Sequence, residues 1–421
     1  MTLGANKGRV IVVGGGVIGL CTGYYLARAG AEVLLLEKED IGAGASSGNA
    51  GAVAPGHGPM TRPGRILQAL KWMRDPTSPL YLPPRWNPSL WRWLLRFNSF
   101  CTEEHVHRGM ELLGPMGHAG RSLFDELMED EDLECHFRSD GYYEVYRTRE
   151  GFEGAQREIP LQREHGYATQ TLPGGTLEEM EPALRSGTVG GLFFPEAATL
   201  DPGRFLTELA RAAEHRGMAI EKGARVVQVV VRGRRVEGVR LENGEYVEGN
   251  QVVLATGAYS LELARAGGLN LPIQAAKGYH RDLPNRSGGS PQLRLTMMLG
   301  ERYVFCTPMG DYLRLAGTLE LSGTNHTIVP RRLENLTDSA GRYLTGLEDA
   351  PSRDDWVGLR PVTPDGLPMV GPAPGLDGLW VANGHAMLGL TLGPITGKLL
   401  AEWILRGAPS QDLSPVRPDR F

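Results

Sequence analysis

The chain has only four cysteines, and no two of them are closely spaced. Cys21, Cys101, Cys135 and Cys306 lie too far apart for a zinc cluster or for the dense disulfide framework of a small secreted domain. The spacing indicates no metal site, and it is typical of a protein kept in a reducing cytoplasm.

The chain also lacks a strong charge of either sign and a long apolar run. Its 44 Lys and Arg against 49 Asp and Glu leave no excess of cations to neutralise the phosphates of a nucleic acid. No uninterrupted apolar stretch reaches the roughly 18 residues that a membrane-spanning helix needs. The first residues, MTLGANKGR, contain no apolar signal core. We therefore expect a cytoplasmic protein, soluble or at most peripheral to a membrane, with no nucleic acid partner.

What is present begins with a strand, a helix and a second strand. At 421 residues the chain exceeds the usual size of one domain, so we expect two domains, which can be interleaved. Apolar runs predict strands over Arg9–Val13 and Ala31–Glu37, with a helix over Val17–Ala29 between them that ends at Gly30. This order is that of a βαβ unit.

Three glycines occupy the turn between the first strand and the helix. In the pattern Gly14-x-Gly16-x-x-Gly19, the first permits a tight turn, the second lets the backbone approach a pyrophosphate, and the third lets helix and strand pack closely. Glu37 ends the second strand, where its carboxylate can accept hydrogen bonds from ribose hydroxyls and would repel a 2′-phosphate. The turn therefore predicts a dinucleotide site and disfavours NADP.

A loop of small residues, GAGASSGNAGAVAPG, follows the second strand over positions 42–56. Such a loop can follow a long cofactor, with the Ser46 and Ser47 hydroxyls near phosphate or ribityl oxygens and small side chains against a flat ring. A flexible linker is the alternative interpretation. In this context the loop favours FAD over NAD.

Further along, the pattern alternates between helix and strand signals. Asp201 and Pro202 predict the start of a helix, as N-cap and first helical residue. Residues 226–255 predict a three-stranded meander followed by a parallel strand, and residues 270–320 a second block of strands. A final helix is predicted over Gly393–Arg406.

Five motifs occur in a specific order: the glycine turn, SSGNAG, ATGAYS, GLRPVTPDG and GHAMLG. In this combination the chain resembles the D-amino-acid oxidase-like family of FAD proteins, which includes glycine oxidase, sarcosine oxidase and the D-amino-acid dehydrogenases, over nearly its full length. The resemblance implies an α/β fold, with a Rossmann-like FAD-binding domain that carries a β-meander, interleaved with an α+β substrate domain that carries a mixed sheet. The implied boundaries are 1–60, 199–268 and 355–421 for the FAD-binding domain, and 61–198 and 269–354 for the substrate domain.

The resemblance also implies which residues hold FAD. They are Gly14, Gly16, Val17, Ile18 and Gly19; Glu37 and Lys38; Ser46, Ser47, Asn49, Ala50 and Gly51; Val226, whose backbone would meet the adenine; Thr256 and Gly257; and Gly384, His385, Leu388, Gly389, Leu390 and Thr391 along the isoalloxazine. The final helix would direct its N-terminus at the flavin N1–C2=O edge, where reduction places negative charge. No His or Cys stands in SSGNAG to attach the flavin covalently.

For the substrate, the resemblance implies that Arg360, in GLRP, binds a carboxylate, which a planar guanidinium matches with two parallel hydrogen bonds. The alternative is a structural arginine paired with Asp365. Tyr303 is the candidate for a second carboxylate contact, although a core position on the strand face of Phe305 fits the pattern nearly as well. Met387 replaces an arginine that glycine oxidase has in this motif, which implies a less polar site.

Two histidines have weaker claims to a role in the reaction. His385, beside the flavin, fits a hydrogen-bonding packing residue better than a base. His57, at the end of the small-residue loop, has a weaker claim still.

The expected activity is FAD-dependent oxidation of a D-amino acid by hydride transfer from Cα to flavin N5. The imine then hydrolyses to a 2-oxo acid and ammonia, and the electrons pass to a carrier or quinone. A glycine- or sarcosine-type oxidase that uses oxygen and a D-hydroxyproline dehydrogenase are the nearest alternatives. A different class, a flavin-binding subunit of a larger dehydrogenase complex, is disfavoured by the presence of Arg360.

The segment Arg65–Phe97 is rich in tryptophan and arginine, and contains Trp72, Trp86, Trp91 and Trp93. Tryptophan and arginine together are favourable at membrane interfaces, so the segment can form a lid and a docking face for a membrane quinone. Ordinary core packing of a lid is the alternative, since aromatics at helical spacing are more often buried.

The absence of an attachment residue in SSGNAG predicts that the flavin is held without a covalent bond. Denaturation by acid or heat should release the flavin into the supernatant, where its absorbance is measured after centrifugation. Flavin that stays with the precipitated protein would contradict this prediction.

Overall fold

The computed structural model describes residues 8–72, 78–83, 87–260, 263–264, 269, 271–285, 292–347 and 350–421. Its strands, in chain order, are β1 (Val10–Val13), β2 (Val33–Glu37), β3 (Ala52–Val53), β4 (Leu80–Tyr81), β5 (Tyr142–Tyr146), β6 (Gln170–Pro173), β7 (Gly190–Phe194), β8 (Ala198–Thr199), β9 (Ala219–Lys222), β10 (Val226–Arg232), β11 (Arg235–Leu241), β12 (Tyr246–Glu248), β13 (Gln251–Leu254), β14 (Gln274–Pro284), β15 (Thr296–Leu299), β16 (Val304–Met309), β17 (Tyr312–Glu320), β18 (Asp354–Val362), β19 (Met369–Pro372) and β20 (Leu379–Asn383).

The α-helices within these ranges carry the connections between strands and cover the sheets. They are α1 (Val17–Arg28), α2 (Arg65–Trp72), α3 (Pro88–Ser99), α4 (Glu103–Glu131), α5 (Arg149–Gln156), α6 (Ile159–Glu164), α7 (Gly174–Met180), α8 (Pro202–His215), α9 (Pro330–Gly341) and α10 (Gly389–Arg406). In the part of the chain described, no helix is both long and apolar enough to cross a membrane.

A six-stranded sheet in the order β19-β20-β13-β1-β2-β9 forms the first layer. All its pairs are parallel except β19 with β20. The central strand β1 is buried along its whole length, as a parallel strand covered on both faces must be. The meander β10-β11-β12 precedes β13 in the chain, as predicted from the sequence.

A nine-stranded mixed sheet forms the second layer, in the order β18-β14-β17-β16-β15-β5-β7-β6, with β4 paired to β17. One face of this sheet is apolar and packs against α9, through residues such as Leu313, Leu315, Leu333 and Leu336. The alternate positions of the same strands form the opposite face, which carries polar side chains toward the small-residue loop.

The predicted elements match the structure with two differences. The helix after Asp201 begins as predicted, since the Asp201 carboxylate accepts a hydrogen bond from the Arg204 N–H. The final helix begins at Gly389, one turn before the predicted Gly393, because Pro394 is tolerated inside it. Strand β18 joins the nine-stranded sheet, although its residues 355–362 fall in the segment assigned to FAD binding from the sequence. The domain boundaries stay a prediction.

Helices α1 and α10 approach closely at glycines, and this contact places both helix N-termini beside β1. A Cβ at Gly397 would lie 2.5 Å from the carbonyl carbon of Cys21, which is closer than two carbon atoms can approach. Only a glycine at position 397 therefore permits this contact.

Gly397→Ala tests the contact. We expect a free energy of unfolding lower by about 2 kcal/mol, as for other overpacked cores, measured from urea unfolding. The control is Gly154→Ala in α5, where an added Cβ meets no atom within 4 Å. This variant should gain about 0.5 to 1 kcal/mol because alanine favours helix. Equal stabilities of the two variants would show that the contact is not tight.

Candidate active site

The glycine turn after β1 has the geometry that a pyrophosphate needs. Gly14 has φ of 110°, and a Cβ there would lie 2.6 Å from the Ala255 carbonyl oxygen. A Cβ at Gly19 would lie 1.9 Å from the carbonyl oxygen of Gly14. Only glycine fits either position, and this turn leads into the N-terminus of α1, where the first backbone N–H groups of a helix can bind an anion.

Glu37 lies at the end of β2 and is largely buried beside this turn. Its carboxylate accepts hydrogen bonds from the N–H groups of Gly15, at 2.7 Å, and Glu39, at 2.9 Å. These two bonds fix the acid at the carboxyl edge of the sheet, where a ribose is bound in dinucleotide folds.

Residues from other strand ends reach the same edge. Val226 opens β10, and the neighbouring Ala224 N–H donates to the Glu37 carbonyl. The Lys38 Nζ lies 4.0 Å from the centre of the Tyr259 ring. Thr256 and Gly257 follow β13, where the Thr256 and Ser260 hydroxyl oxygens are 2.6 Å apart and the Gly257 carbonyl accepts from Asn383. The carboxyl ends of parallel strands meet at one edge, which brings these predicted residues together.

The small-residue loop is held mainly by its own side chains. Ser46 Oγ accepts from the Val17 N–H at 3.1 Å, so it lies at the N-terminus of α1 as predicted for a phosphate neighbour. Ser47 Oγ instead donates to the Gly42 carbonyl within the loop. Asn49 bonds to Ser46 and Gly51, also inside the loop. The side chains of Ser47 and Asn49 therefore shape the loop in this structure.

Four consecutive carbonyl groups of this loop, at positions 47–50, accept hydrogen bonds from the nine-stranded sheet. The bonds run from Arg314 Nη1 to Ser47 and Asn49 (3.1 Å each), from His280 Nδ1 to Gly48 (2.8 Å) and from Thr307 Oγ1 to Ala50 (2.7 Å). Arg314 is itself held by Asp282 through two bonds of 2.9 Å. The loop that should border the cofactor is thus fixed to the sheet that carries Arg360.

His385 lies in a tight turn before α10, between Gly384 and Ala386, which both have positive φ. The ring is buried, with Nε2 3.0 Å from Thr396 Oγ1, and Nδ1 has no protein partner. Burial lowers the pKa of His385 to about 3, so the ring stays neutral at physiological pH. This agrees with the packing interpretation and disfavours a base.

These features fit FAD. The glycine turn leads into the N-terminus of α1, and the Nδ1 of His385 and the first N–H groups of α10, from Gly389 to Thr391, can offer further hydrogen bonds to a cofactor. Thr391 Oγ1 already accepts from the Ala54 N–H at 3.0 Å, which ties α10 to the small-residue loop.

Arg360 lies on β18 without a carboxylate partner among the described residues. Its Nη1 donates to the Thr318 carbonyl at 2.8 Å, and the guanidinium lies across Gly278, where a Cβ would be 2.2 Å from Nη1. Burial without a compensating charge lowers the pKa of Arg360 to about 10. The alternative pairing with Asp365 is wrong, because that carboxylate is bound by Arg420 at 2.7 and 3.1 Å.

The backbone around Arg360 is strained. Thr318, whose carbonyl holds the guanidinium, has φ of 64°, a value that β-branched residues rarely adopt. The pairing of β14 with β17 shifts register at this point, between Lys277 and Tyr279. A bulge here turns the Thr318 carbonyl toward Arg360.

Tyr303 stands in the turn before β16 rather than on a strand, with φ of 50°. Its carbonyl oxygen would lie 3.0 Å from a Cβ on Gly317, the residue before Thr318, so Tyr303 belongs to the surroundings of Arg360. Its side chain is 38% exposed and meets the Trp72 ring edge-on. The alternative of a core aromatic that shares a strand face with Phe305 is therefore wrong.

A buried polar cluster on β5 was not predicted from the sequence. Tyr142 and Tyr146 donate to the two oxygens of Glu144, at 3.0 and 2.9 Å, and His57 Nε2 is 2.5 Å from the Tyr142 hydroxyl. Burial raises the pKa of Glu144, whereas the nearby Arg62 opposes this rise. The stretch YYEVY indicated this cluster, because its first, third and fifth residues, Tyr142, Glu144 and Tyr146, share one face of the strand.

His57 and Met387 complete the residues considered from the sequence. Burial lowers the pKa of His57 to about 4, and its bond to Tyr142 makes it part of the polar cluster. Met387 is 59% exposed in the turn before α10.

The comparisons with known proteins agree with this geometry. The family model described as FAD dependent oxidoreductase matches residues 9–403. A D-amino acid dehydrogenase of Methylobacterium nodulans is 36% identical over 97% of this chain and 99% of that relative. One of Xanthobacter autotrophicus is 32% identical over 98% and 99%.

Solved structures resemble the fold over its full length. Glycine oxidase from Geobacillus kaustophilus superposes with a TM-score of 0.78 at 25% identity, over 98% of this chain and 99% of that one. L-proline dehydrogenase from P. horikoshii shares the fold alone, with a TM-score of 0.74 at 19% identity, over 99% and 98% of the two chains. The glycine turn, the anchored loop and the family match together confirm the FAD prediction, and the chain belongs to the FAD-dependent oxidoreductase family.

Proposed function

We propose that this chain is an FAD-dependent D-amino-acid dehydrogenase, which oxidises a D-amino acid to an imino acid that water converts to a 2-oxo acid and ammonia. The observation that carries the proposal is Arg360, a buried guanidinium with no carboxylate partner among the described residues. The relatives named D-amino acid dehydrogenase, at 36% and 32% identity, support the substrate class.

In this proposal Arg360 binds the substrate carboxylate through two charge-assisted hydrogen bonds, a geometry that a guanidinium matches. Tyr303, in the turn before β16, would add a hydroxyl donor, and its carbonyl near Gly317 supports a position close to Thr318. Two such contacts fix the direction of the Cα–H bond, which is the main requirement of a hydride transfer. FAD, when bound, supplies the hydride acceptor. A flavin-binding subunit without catalysis would need no such anchor.

Aromatic side chains of α2 and α3 pack close to these residues. Trp72, at the end of α2, contacts the Tyr303 ring with their centres 5.3 Å apart. Helix α3 packs beneath with Leu90, Trp93 and Phe97 buried, and the Trp93 indole N–H donates to the Pro272 carbonyl. The inner side of the tryptophan-rich segment therefore packs into the core. This supports the alternative given in the sequence analysis, ordinary core packing of a lid.

The outer side of the same segment supports a membrane carrier as electron acceptor. Leu67, Trp91 and Leu95 are 68%, 48% and 71% exposed, and Arg92 and Arg96 are exposed beside them. Exposed tryptophan and leucine flanked by arginine suit the interface of an anionic membrane. We therefore propose that the enzyme is a cytoplasmic protein that docks here and passes its electrons to a quinone. Trp86 lies outside the described residues.

Arg360→Met tests the substrate anchor. Loss of a charge-assisted contact should lower kcat/KM for D-amino acids by about 100-fold or more, since such contacts are worth about 3 kcal/mol. The flavin absorbance per chain should stay unchanged. Stability should not fall: because burial lowers the pKa of Arg360, the charged form opposes folding at neutral pH, and its removal ends that cost.

Arg281→Met is the matched control in the adjacent strand. Arg281 is paired with Asp355 at 2.8 and 2.9 Å, so its loss should lower the thermal midpoint and leave KM unchanged. If Arg360→Met retains normal turnover, or is destabilised as strongly as the control, Arg360 is a structural arginine.

The double variant Trp91→Gln, Leu95→Gln tests the docking face. Quinone reduction in the presence of anionic liposomes should fall several-fold, because apolar contact with the membrane is lost, while reduction of a soluble dye stays constant. Val227→Gln on β10, at another exposed apolar position (41%), is the control and should change neither rate. Rapid peroxide formation with no liposome binding by the wild type would instead favour an oxidase that uses oxygen.

A further inference from the structure

Three potential metal ligands meet at the edge of the nine-stranded sheet, behind the small-residue loop. His280 and Asp282 are two residues apart on β14 and share one face of the strand. The register of β14 against β18 places Asp354 directly opposite Asp282. The ligand atoms of the three side chains lie within 4.8 Å of one another.

The hydrogen bonding of His280 directs the second ring nitrogen, Nε2, at the two acids. Nδ1 is 2.8 Å from the Gly48 carbonyl oxygen, which can only accept, so Nδ1 carries the hydrogen. Nε2 lies 3.8 Å from Asp282 Oδ2 and 3.5 Å from Asp354 Oδ2, and it has no hydrogen-bond partner among the described residues. The residue is only 1% exposed.

Nε2 of the neutral ring, the Asp354 carboxylate and the remaining lone pair of Asp282 Oδ2, which also accepts from Arg314 Nη2, face one point. A cation can be bound by all three. One negative charge at this point is not compensated. Arg314 neutralises Asp282, but Asp354 has no arginine or lysine partner among the described residues. The other two arginines that line this cavity are engaged elsewhere, Arg204 near Asp201 and Arg353 with Asp311.

We propose that His280, Asp282 and Asp354 bind a divalent first-row transition metal ion such as Zn²⁺. One imidazole nitrogen and two carboxylates form a donor set that such ions accept, with water at the remaining positions. The cavity that opens here, of about 460 Å³, has room for those waters. The bond from Nδ1 to a backbone carbonyl is the arrangement that commonly orients a metal-binding histidine.

This site was not predicted from the sequence. Its ligands are drawn from two strands that are far apart along the chain and become neighbours only through sheet pairing. The proposed ion would pull electron density from the ring and strengthen the bond from His280 to Gly48, and so stabilise the small-residue loop. The effect of a more stable loop on the enzyme rests on the proposed function, in which the loop borders the cofactor. Metal binding itself does not depend on that function.

The test is a calorimetric titration of the purified flavin-loaded enzyme with ZnCl₂, after treatment with a chelator. We expect one Zn²⁺ per chain, and at least 10-fold weaker binding by Asp354→Asn, whose exposed side chain is dispensable for folding. Asp125→Asn removes an exposed acid on α4 that does not line this cavity, and its affinity should equal that of the wild type. Zinc should also raise the thermal midpoint of the wild type more than that of Asp354→Asn.

Three results would overturn the proposal: no saturable binding by the wild type, equal affinities of the wild type and Asp354→Asn, or equal losses in Asp354→Asn and Asp125→Asn. None of these measurements requires turnover. Failure of the metal site is therefore distinguishable from failure of the proposed dehydrogenase activity.

Discussion

The ion pair between Arg314 and Asp282 joins the two halves of the active site. It is buried, and each partner uses two atoms, so the guanidinium is held in one orientation. From that orientation the same guanidinium binds the carbonyls of Ser47 and Asn49. A loop that follows the parallel sheet is thereby fixed to the mixed sheet. The distance between a bound cofactor and the substrate anchor depends on this connection, because Arg360 lies on the same mixed sheet.

Arg360, the proposed substrate anchor, lies in surroundings that do not favour the stability of the fold. A buried arginine usually has an acidic partner, and a threonine seldom adopts a positive φ. Here the unusual Thr318 backbone supplies only a carbonyl to Arg360, so one side of the guanidinium is held and its charge is left uncompensated. Such exceptions concentrate at sites where a ligand completes the interaction.

The parts of the fold that local rules govern could be predicted from the sequence. The glycine turn, the meander and the Asp201 N-cap each depend on a few neighbouring residues, and each was found where predicted. The family resemblance extended this to the cofactor. The start of the last helix was missed by a turn, because a proline was read as a boundary where the helix accommodates it.

What could not be predicted depends on contacts between distant segments. No local pattern reveals that Asp365 is bound by Arg420. This contact rules out the pairing of Asp365 with Arg360. The positive φ of Tyr303 removes it from the alternation of β16, which was the basis of the alternative core position. The cluster around Glu144 was visible in the alternation of YYEVY, but its burial follows from the sheet that covers it.

The pair formed by Arg420 and Asp365 gives a residue near the end of the sequence influence over the chemistry of the site. Asp365 lies five positions after Arg360 and carries the same kind of charge as a substrate carboxylate. While Arg420 engages it, this acid does not act as an internal competitor for the anchor. If Arg360 binds the substrate as proposed, substitutions at positions 360 and 420 would both lower the apparent affinity for the amino acid, although Arg420 would not contact it.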